Sequence, residues 1–175
     1  MSASTPIRWS ASAATTRWTD GRGGAVIARS LASPVGSLTL HEEAGRITRL
    51  SWGGAEAGRS PLLDAAERQL EAYFAGELRR FALPMAPPAS AFQHLVFEAM
   101  LSIPYGETRS YGAVAAALDA SAQAVGRACG ANPVPILIPC HRIVGATGLG
   151  GYSGRGGVET KRALLRLEGA AGLLI

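Results

Sequence analysis

A thiol and an imidazole are neighbours at positions 139–142, which read Pro-Cys-His-Arg. A cysteine attacks as its thiolate, and a nearby base or cation generates that thiolate near neutral pH. The apolar run at positions 135–138 precedes the pair and predicts a buried strand that ends at the cysteine. The pattern favours nucleophilic chemistry, with Cys140 as the nucleophile and His141 as its base.

Two other interpretations of Cys140 are open from the residues alone. A cysteine in an apolar context is commonly a small, unreactive core residue. A zinc site formed by Cys129, Cys140 and His141 is conceivable, although it lacks a fourth ligand and the usual paired spacing. Adjacent strand residues point to opposite faces, so contact between Cys140 and His141 requires a turn or a bridging water. The chain has two cysteines, too few for a disulfide scaffold in a domain of this size, which is consistent with a reducing compartment.

Polar residues flank the thiol on both sides. Asn132 precedes Pro133, and its amide can tie two backbone segments together or simply begin a turn. The glycine-rich loop at positions 148–157 follows the thiol and contains Tyr152 and Ser153. A flexible polar loop beside a nucleophile is suited to holding a substrate.

The elements that position these residues fall into two groups. Alternating apolar residues at 25–28, 36–40 and 47–52, with a turn at 42–46, predict an antiparallel meander. A helical apolar face over 62–74 is closed by Gly76. Positions 82–90 contain three prolines among small residues and predict a linker between two domains.

The second group is mostly helical. One apolar helical face covers 92–101, and Ser110 and Ser121 are suited to cap the next two helices. Two short helices joined by a tight turn form either a helix-turn-helix or an ordinary pair of core helices. A last helix is predicted from Glu159 to Glu168, closed by Gly169, with a frayed chain end beyond it.

The chain has 175 residues, of which 47% are hydrophobic and 17% are charged, and its net charge is +4. This composition is typical of a globular protein. No apolar run reaches the length of a membrane span, and the start lacks a secretory pattern. Positions 1–24 predict a flexible tail. No acidic residue lies between Asp119 and Glu159, an interval that holds Arg127, Arg142 and Arg155. This interval is either a solvated loop face or a surface that meets phosphates.

Positions 132–142 closely resemble the active-site segment of the O6-alkylguanine-DNA alkyltransferases. The resemblance extends back through Ser110-Tyr111 and forward through Tyr152-Ser153, Lys161 and the Leu-Glu-Gly at 167–169, and it covers roughly residues 25–170. It implies an α/β fold with a small antiparallel-sheet (RNase H-like) domain at 25–81, a linker at 82–90, and a mostly helical domain with a helix-turn-helix at 91–175.

The resemblance also implies the activity. The protein is expected to extrude O6-alkylguanine, and also O4-alkylthymine, from duplex DNA and to move the alkyl group irreversibly to Cys140, once per molecule. No metal, cofactor, membrane or obligatory protein partner is expected, and the location is expected to be cytoplasmic.

Roles are implied residue by residue. His141 acts through a water molecule, Glu168 orients it, Tyr111 donates a proton to the leaving guanine, and Asn132 is a structural hinge. Glu168 also falls beside a helix C-terminus, where an acid is unfavourable without a partner such as His141. Substrate contacts are expected from Tyr152, Ser153 and Ile143. DNA contacts are expected from Gln123, Ala124, Arg127 and Arg142.

Two positions depart from the family pattern. Gln123 stands where the family usually carries an intercalating arginine, and the loop at 154–157 is longer.

Three other functions are alternatives to alkyl transfer. A non-catalytic lesion-binding relative would lack Cys140. A cysteine hydrolase would need a distant histidine, His41 or His94. A helix-turn-helix regulator would not need the Cys-His pair.

Overall fold

The structure is a computed structural model that describes residues 24–170. The predicted tail lies outside the described residues except for Gly24, and the chain end beyond residue 170 lies outside them too.

An antiparallel meander opens the described chain. It consists of β1 (Ile27–Leu31), β2 (Leu38–Glu43) and β3 (Arg46–Trp52), in the order β1-β2-β3. The β2–β3 turn uses Ala44 at φ 49° and Gly45 at φ 72°, left-handed values that a tight hairpin requires. The predicted meander is confirmed, although β1 begins two residues later than expected.

Helix α1 (Pro61–Phe74) follows the meander. Ser60 caps it by accepting a hydrogen bond from the backbone N–H of Leu63 at 3.0 Å. Its buried residues, spaced three or four apart, are Leu63, Ala66, Leu70 and Tyr73. This face packs into the core with the sheet, so α1 and the meander form one layered unit.

The segment at 82–90 connects the two groups of elements. Ile47 in β3 donates its N–H to the carbonyl of Pro84 at 2.9 Å, and Ala86 donates to the carbonyl of Ile47 at 2.9 Å. Met85 between them is buried. The middle of the segment therefore lies against β3, while the domain boundaries at 81 and 90 stay a prediction.

The second group holds α2 (Ala91–Leu101), α3 (Tyr111–Ala117), α4 (Ala122–Gly130) and α5 (Val158–Leu167). Ser110 and Ser121 cap α3 and α4 as predicted, each accepting from the N–H three residues on. Helices α3 and α4 are the predicted helix-turn-helix. Two short parallel strands, β4 (Arg109–Ser110) and β5 (Ile143–Val144), join α3 to the segment after Cys140.

One hydrophobic cluster runs through both groups, with Leu70 from α1, Phe97 from α2 and Ile138 all buried in it. Among the described helices, none has the length and apolar character needed to cross a membrane.

The strand predicted at 135–138 is wrong. These residues form a buried turn in which Pro135 and Ile138 are bridged and Ile136 has φ 73°. Proline cannot donate to a ladder, so this apolar run forms no regular strand. A single 3₁₀ turn, Cys140–Arg142, follows directly. The thiol therefore lies at a turn, so Cys140 and His141 are not forced to point in opposite directions as they would be in a strand.

Candidate active site

Cys140 is buried, and it lines a cavity of about 300 Å³. Three segments meet there. Helix α3 contributes Tyr111, α4 contributes Cys129, and the glycine-rich loop contributes Tyr152 and Ser153. A partly open pocket with a thiol and convergent hydroxyls is suited to hold a small planar group.

Asn132 holds the turn that presents the thiol. Its Nδ2 donates to the carbonyl of Ile138 at 2.9 Å, and its Oδ1 accepts from the N–H of Val134 at 3.0 Å. The same side chain hydrogen-bonds the Cys140 sulfur and thereby lowers the thiol pKa. Asn132 thus combines a structural tie with an influence on the nucleophile.

The Cys140 thiol is held protonated. Burial raises its pKa, and the hydrogen bond from Asn132 and the charge of Lys161 only partly oppose this, leaving the pKa at about 11. Burial and the neighbouring Cys140 raise the pKa of Cys129 to about 12. Near neutral pH both sulfurs are thiols, so attack by Cys140 needs a base that removes its proton.

His141 is fully buried and bonded to Glu168. Its Nε2 lies 2.7 Å from Oε1 of Glu168. Burial would raise the pKa of Glu168, but hydrogen bonds from His141 and Arg142, together with the charge of Arg142, outweigh it and bring the pKa to about 2. An ionised carboxylate only accepts, so Nε2 carries the proton.

The other ring nitrogen of His141 is therefore the basic one. Burial lowers the pKa of His141, and the contact with Glu168 only partly opposes this, so the ring is neutral near pH 7. In that state Nδ1 is bare, and it has no hydrogen-bond partner among the described residues. His141 is thus set up to accept a proton at Nδ1.

Arg142 does not fit its predicted role in DNA binding, because it is buried with only 7% of its surface exposed. Its Nε and Nη2 donate to the two oxygens of Glu168 at 2.8 and 3.0 Å, and its Nη1 donates to the carbonyl of Ile103 at 2.7 Å. The guanidinium neutralises the buried carboxylate and has no reach to phosphate. Its charge was visible in the sequence, but its partner lies 26 positions away.

Tyr73 in α1 is a contact that sequence reasoning missed. Its hydroxyl donates to Oε1 of Glu168 at 2.7 Å, and the side chain is buried. The backbone N–H of Gly106 donates to Oε2 of the same carboxylate at 3.2 Å. Gly106 has φ 81°, and a Cβ there would lie 2.8 Å from the backbone oxygen of Glu168, so only glycine fits.

Lys161 is the other side chain whose role was not predicted. It is buried, and its Nζ donates to the carbonyls of Ile143 at 2.6 Å and Gly151 at 3.0 Å. It also lies 5.7 Å from the ring centre of Tyr111. Burial lowers its pKa, and the two cysteines oppose this. The lysine ties the loop to β5 and places a cation near the thiol.

Tyr111 and Ser153 line the cavity, and burial raises the pKa of Tyr111 to about 12, so its hydroxyl is a donor at neutral pH. Tyr152 also lines it, and its hydroxyl has no partner among the described residues. The Tyr152 ring packs edge-on against Trp52 of β3, with ring centres 6.3 Å apart. The N-terminal sheet thus supports the loop that walls the cavity.

Ile143 does not line the cavity. Its side chain is fully buried in the core, and its carbonyl is taken by Lys161. The described residues contain no cluster of three or more His, Cys, Asp or Glu side chains placed to hold a metal ion. His41 contacts Ser51, and neither His41 nor His94 lines the cavity that holds Cys140. The structure therefore does not support a cysteine hydrolase that uses either histidine as its base.

Helix α4 presents the remaining predicted residues. Gln123 and Arg127 are exposed on it, and Ala124 is half-buried. Ala124 and Arg127 line a second hollow of about 270 Å³ with Phe92 and Gln93 of α2. Arg155 is exposed in the loop. With Arg142 buried, Arg127 and Arg155 remain as the surface cations of the acid-free interval.

Comparisons with known families match both parts of the chain. The family profile described as 6-O-methylguanine DNA methyltransferase, ribonuclease-like domain, matches residues 26–87. The profile described as 6-O-methylguanine DNA methyltransferase, DNA binding domain, matches residues 91–170.

Individual proteins of the same description are similar to this chain over most of its length. The methylated-DNA–protein-cysteine methyltransferase of Mycobacterium tuberculosis is 44% identical over 151 residues, covering 80% of this chain and 90% of the relative. The constitutive enzyme of that name from Bacillus subtilis is 40% identical over 151 residues, covering 78% of this chain and 91% of the relative.

Solved structures match as well. The crystal structure of M. tuberculosis O6-methylguanine methyltransferase has a TM-score of 0.73 at 41% identity, covering 83% of this chain and 94% of that one. The crystal structure of M. tuberculosis OGT in complex with DNA has a TM-score of 0.72 at 43% identity, covering 81% and 92%. The predicted fold class is confirmed, and the chain belongs to the methylated-DNA–protein-cysteine methyltransferase family.

Proposed function

We propose that this protein repairs duplex DNA by moving the alkyl group of O6-alkylguanine, and of O4-alkylthymine, to the sulfur of Cys140. The observation that carries the proposal is the buried thiol in a cavity walled by Tyr111, Tyr152 and Ser153, with a neutral His141 next to it in the chain. Family membership and the relative solved in complex with DNA support it.

The reaction balances without another reagent. The sulfur forms a bond to the alkyl carbon, and the bond from that carbon to O6 breaks. The electron pair of that bond stays on the guanine, which takes up one proton. The thiol loses one proton, so the net transfer is of a proton from Cys140 to guanine. The thioether has no route back to the thiol, and each molecule therefore acts once.

His141 and Glu168 generate the nucleophile. A thiol with a pKa of about 11 is almost wholly protonated at neutral pH, which protects it from unwanted electrophiles. Nδ1 of His141 takes the thiol proton through a bridging water, and the ionised Glu168 stabilises the imidazolium. Lys161 and Asn132 stabilise the thiolate by charge and by a hydrogen bond.

Tyr111 assists the leaving group. Its hydroxyl is protonated at neutral pH and can donate to the guanine oxygen as the bond to carbon lengthens. Neutral guanine leaves more readily than its anion. Ser153 supplies a second hydroxyl at the same cavity, which suits recognition of the base edge.

DNA reaches this cavity through the helix-turn-helix. Gln123, Ala124 and Arg127 lie on the exposed part of α4, and the lesion must leave the duplex to reach the buried sulfur. The surface around α4 holds no acid between Asp119 and Glu159, which favours phosphate contact. A cytoplasmic location and independence of a protein partner belong to the same proposal.

Mass spectrometry tests the proposal. The protein is incubated with a duplex carrying one O6-methylguanine, and both the intact mass and the tryptic peptides are measured. One methyl group on Cys140 per molecule is expected, with unmodified guanine left in the DNA. Methylation of Cys129, or more lesions repaired than protein molecules present, would overturn it. Cys140→Ser is the control that should bind the duplex and remain unmethylated.

A further inference from the structure

The carboxylate of Glu168 is the most heavily bonded side chain of the site. It accepts five hydrogen bonds, from Tyr73, His141, Gly106 and twice from Arg142. Oε1, the oxygen that accepts from His141 at 2.7 Å, also accepts from Tyr73 at 2.7 Å and from Nη2 of Arg142 at 3.0 Å. Arg142 and Gly106 are accounted for by charge balance and backbone support. The buried tyrosine is the donor that the mechanism has not yet used.

Tyr73 comes from the other part of the chain. It lies in α1, 95 positions before Glu168, and it is 1% exposed. Its ring packs against Phe74, Phe81 and Tyr105, with ring centres 5.3, 5.2 and 6.1 Å apart. This packing fixes where the hydroxyl sits, so the hydroxyl is a fixed donor and not a mobile one.

The hydroxyl also lies within 3.5 Å of Nε2 of His141. A phenol that donates its one proton to Oε1 has lone pairs left on the oxygen, and these face the N–H of the imidazole. Tyr73 therefore touches both members of the His141–Glu168 pair. Because the hydroxyl proton is used on Oε1, Tyr73 presents only lone pairs to Nε2, which favours the tautomer with the proton on Nε2.

We propose that Tyr73 is a positioning residue for alkyl transfer, acting through Glu168 to keep His141 in the orientation and tautomer that leave Nδ1 free as the base. The inference rests on the proposed function of Cys140. It means that the ribonuclease-like part contributes to the chemistry of the helical part. The base is correctly set only when α1 is docked against the segment that carries Glu168.

Tyr73→Phe tests this with little change of shape, because it removes only the hydroxyl. The matched control is Tyr105→Phe. The Tyr105 hydroxyl donates to the backbone carbonyl of Leu167 at 3.0 Å, so this variant loses a hydrogen bond in the same aromatic cluster without touching the carboxylate. The thermal unfolding of both variants is measured first, and their rates are then compared at a temperature where both are folded.

Single-turnover rates are measured with free O6-benzylguanine and with an O6-methylguanine duplex, across pH. Tyr73→Phe should slow both reactions about tenfold, a part of the effect of a general base. A carboxylate with one donor fewer stabilises the imidazolium of His141 more, which raises the pKa of His141. The pH at which the rate rises should therefore increase by about half a pH unit. Tyr105→Phe should stay within about twofold of wild type and keep its pH profile.

A double variant separates positioning from simple packing. In the Glu168→Gln background, Tyr73→Phe should have almost no further effect on rate, because the tyrosine acts through the carboxylate. Equal factors in both backgrounds, or equal losses in Tyr73→Phe and Tyr105→Phe, would overturn the inference. If wild type methylates Cys140 and Tyr73→Phe does so equally fast, only the inference fails. If wild type acquires no methyl group, the proposed function itself fails.

Discussion

Nε2 of His141 lies 2.7 Å from Oε1 of Glu168, and both side chains are fully buried. Glu168 is the C-terminal cap of α5, where the helix dipole disfavours a negative charge. His141 and Arg142 meet that carboxylate from the 3₁₀ turn after Cys140. The helix end and the nucleophile turn are therefore locked to one another through a single side chain.

Removal of either member of this pair should slow alkyl transfer. His141→Ala and Glu168→Ala should each reduce the single-turnover rate by about a hundredfold or more, the usual contribution of a general base. The double variant should be slowed by less than the product of the two factors, because the residues act as a unit. Quenched-flow assays with an O6-methylguanine duplex measure this. Multiplicative factors would show that the two residues act separately.

Acid should weaken the fold through Glu168. Its pKa is lowered from 4.5 to about 2 in the folded protein, so it stabilises the fold above pH 4.5 and loses that effect as pH falls towards 2. The pKa difference corresponds to about 3 kcal/mol. Urea unfolding of wild type should therefore weaken more steeply over this window than that of Glu168→Gln. Parallel pH curves for the two proteins would contradict the assignment.

The local elements could be predicted because their signals are local. Ser110 and Ser121 precede apolar helical faces, and both cap helices in the structure. The meander was predicted from alternation at 36–40 and 47–52, which reflects one buried face.

Two of the failures, at Arg142 and Tyr73, come from contacts with the distant Glu168, and the third comes from short-range contacts that an apolar pattern does not reveal. An apolar run at 135–138 signals burial but does not distinguish a strand from a turn, and here Pro135 together with the hydrogen bonds of Asn132 favours the turn. Arg142 was assigned to DNA because its partner Glu168 is remote in sequence. Tyr73 carried a weak signal, since a tyrosine among aliphatic positions of a buried helix face needs a partner for its hydroxyl.

Arg142 and Arg127 should separate stability from DNA binding. Arg142→Ala leaves the buried carboxylate of Glu168 without its guanidinium, so it should destabilise the fold by about 3–5 kcal/mol. Arg127→Ala changes an exposed side chain on α4 and should alter stability by less than about 0.5 kcal/mol. Chemical denaturation measures both.

Binding assays on the same pair complete the comparison. Arg127→Ala should weaken duplex binding and lower the salt slope by about one, as expected for the loss of one phosphate contact. Arg142→Lys keeps the charge but not the two-pronged contact, and it should lose stability without changing that slope. A folded Arg142 variant with a reduced salt slope would restore the original assignment to DNA.

Gln123→Arg tests the extrusion step. Gln123 is exposed on the first turn of α4, and a guanidinium there could fill the gap that an extruded base leaves in the stack. The rate on an O6-methylguanine duplex should rise, while the rate with free O6-benzylguanine should barely change because that substrate needs no extrusion. Ala122→Arg is the control, since it adds the same charge one residue earlier, about 100° around the helix. If both substrates react faster, the change acts on the cavity and not on extrusion. If neither does, another residue fills the stack, and Arg127, one helical turn along α4, is the next side chain to remove.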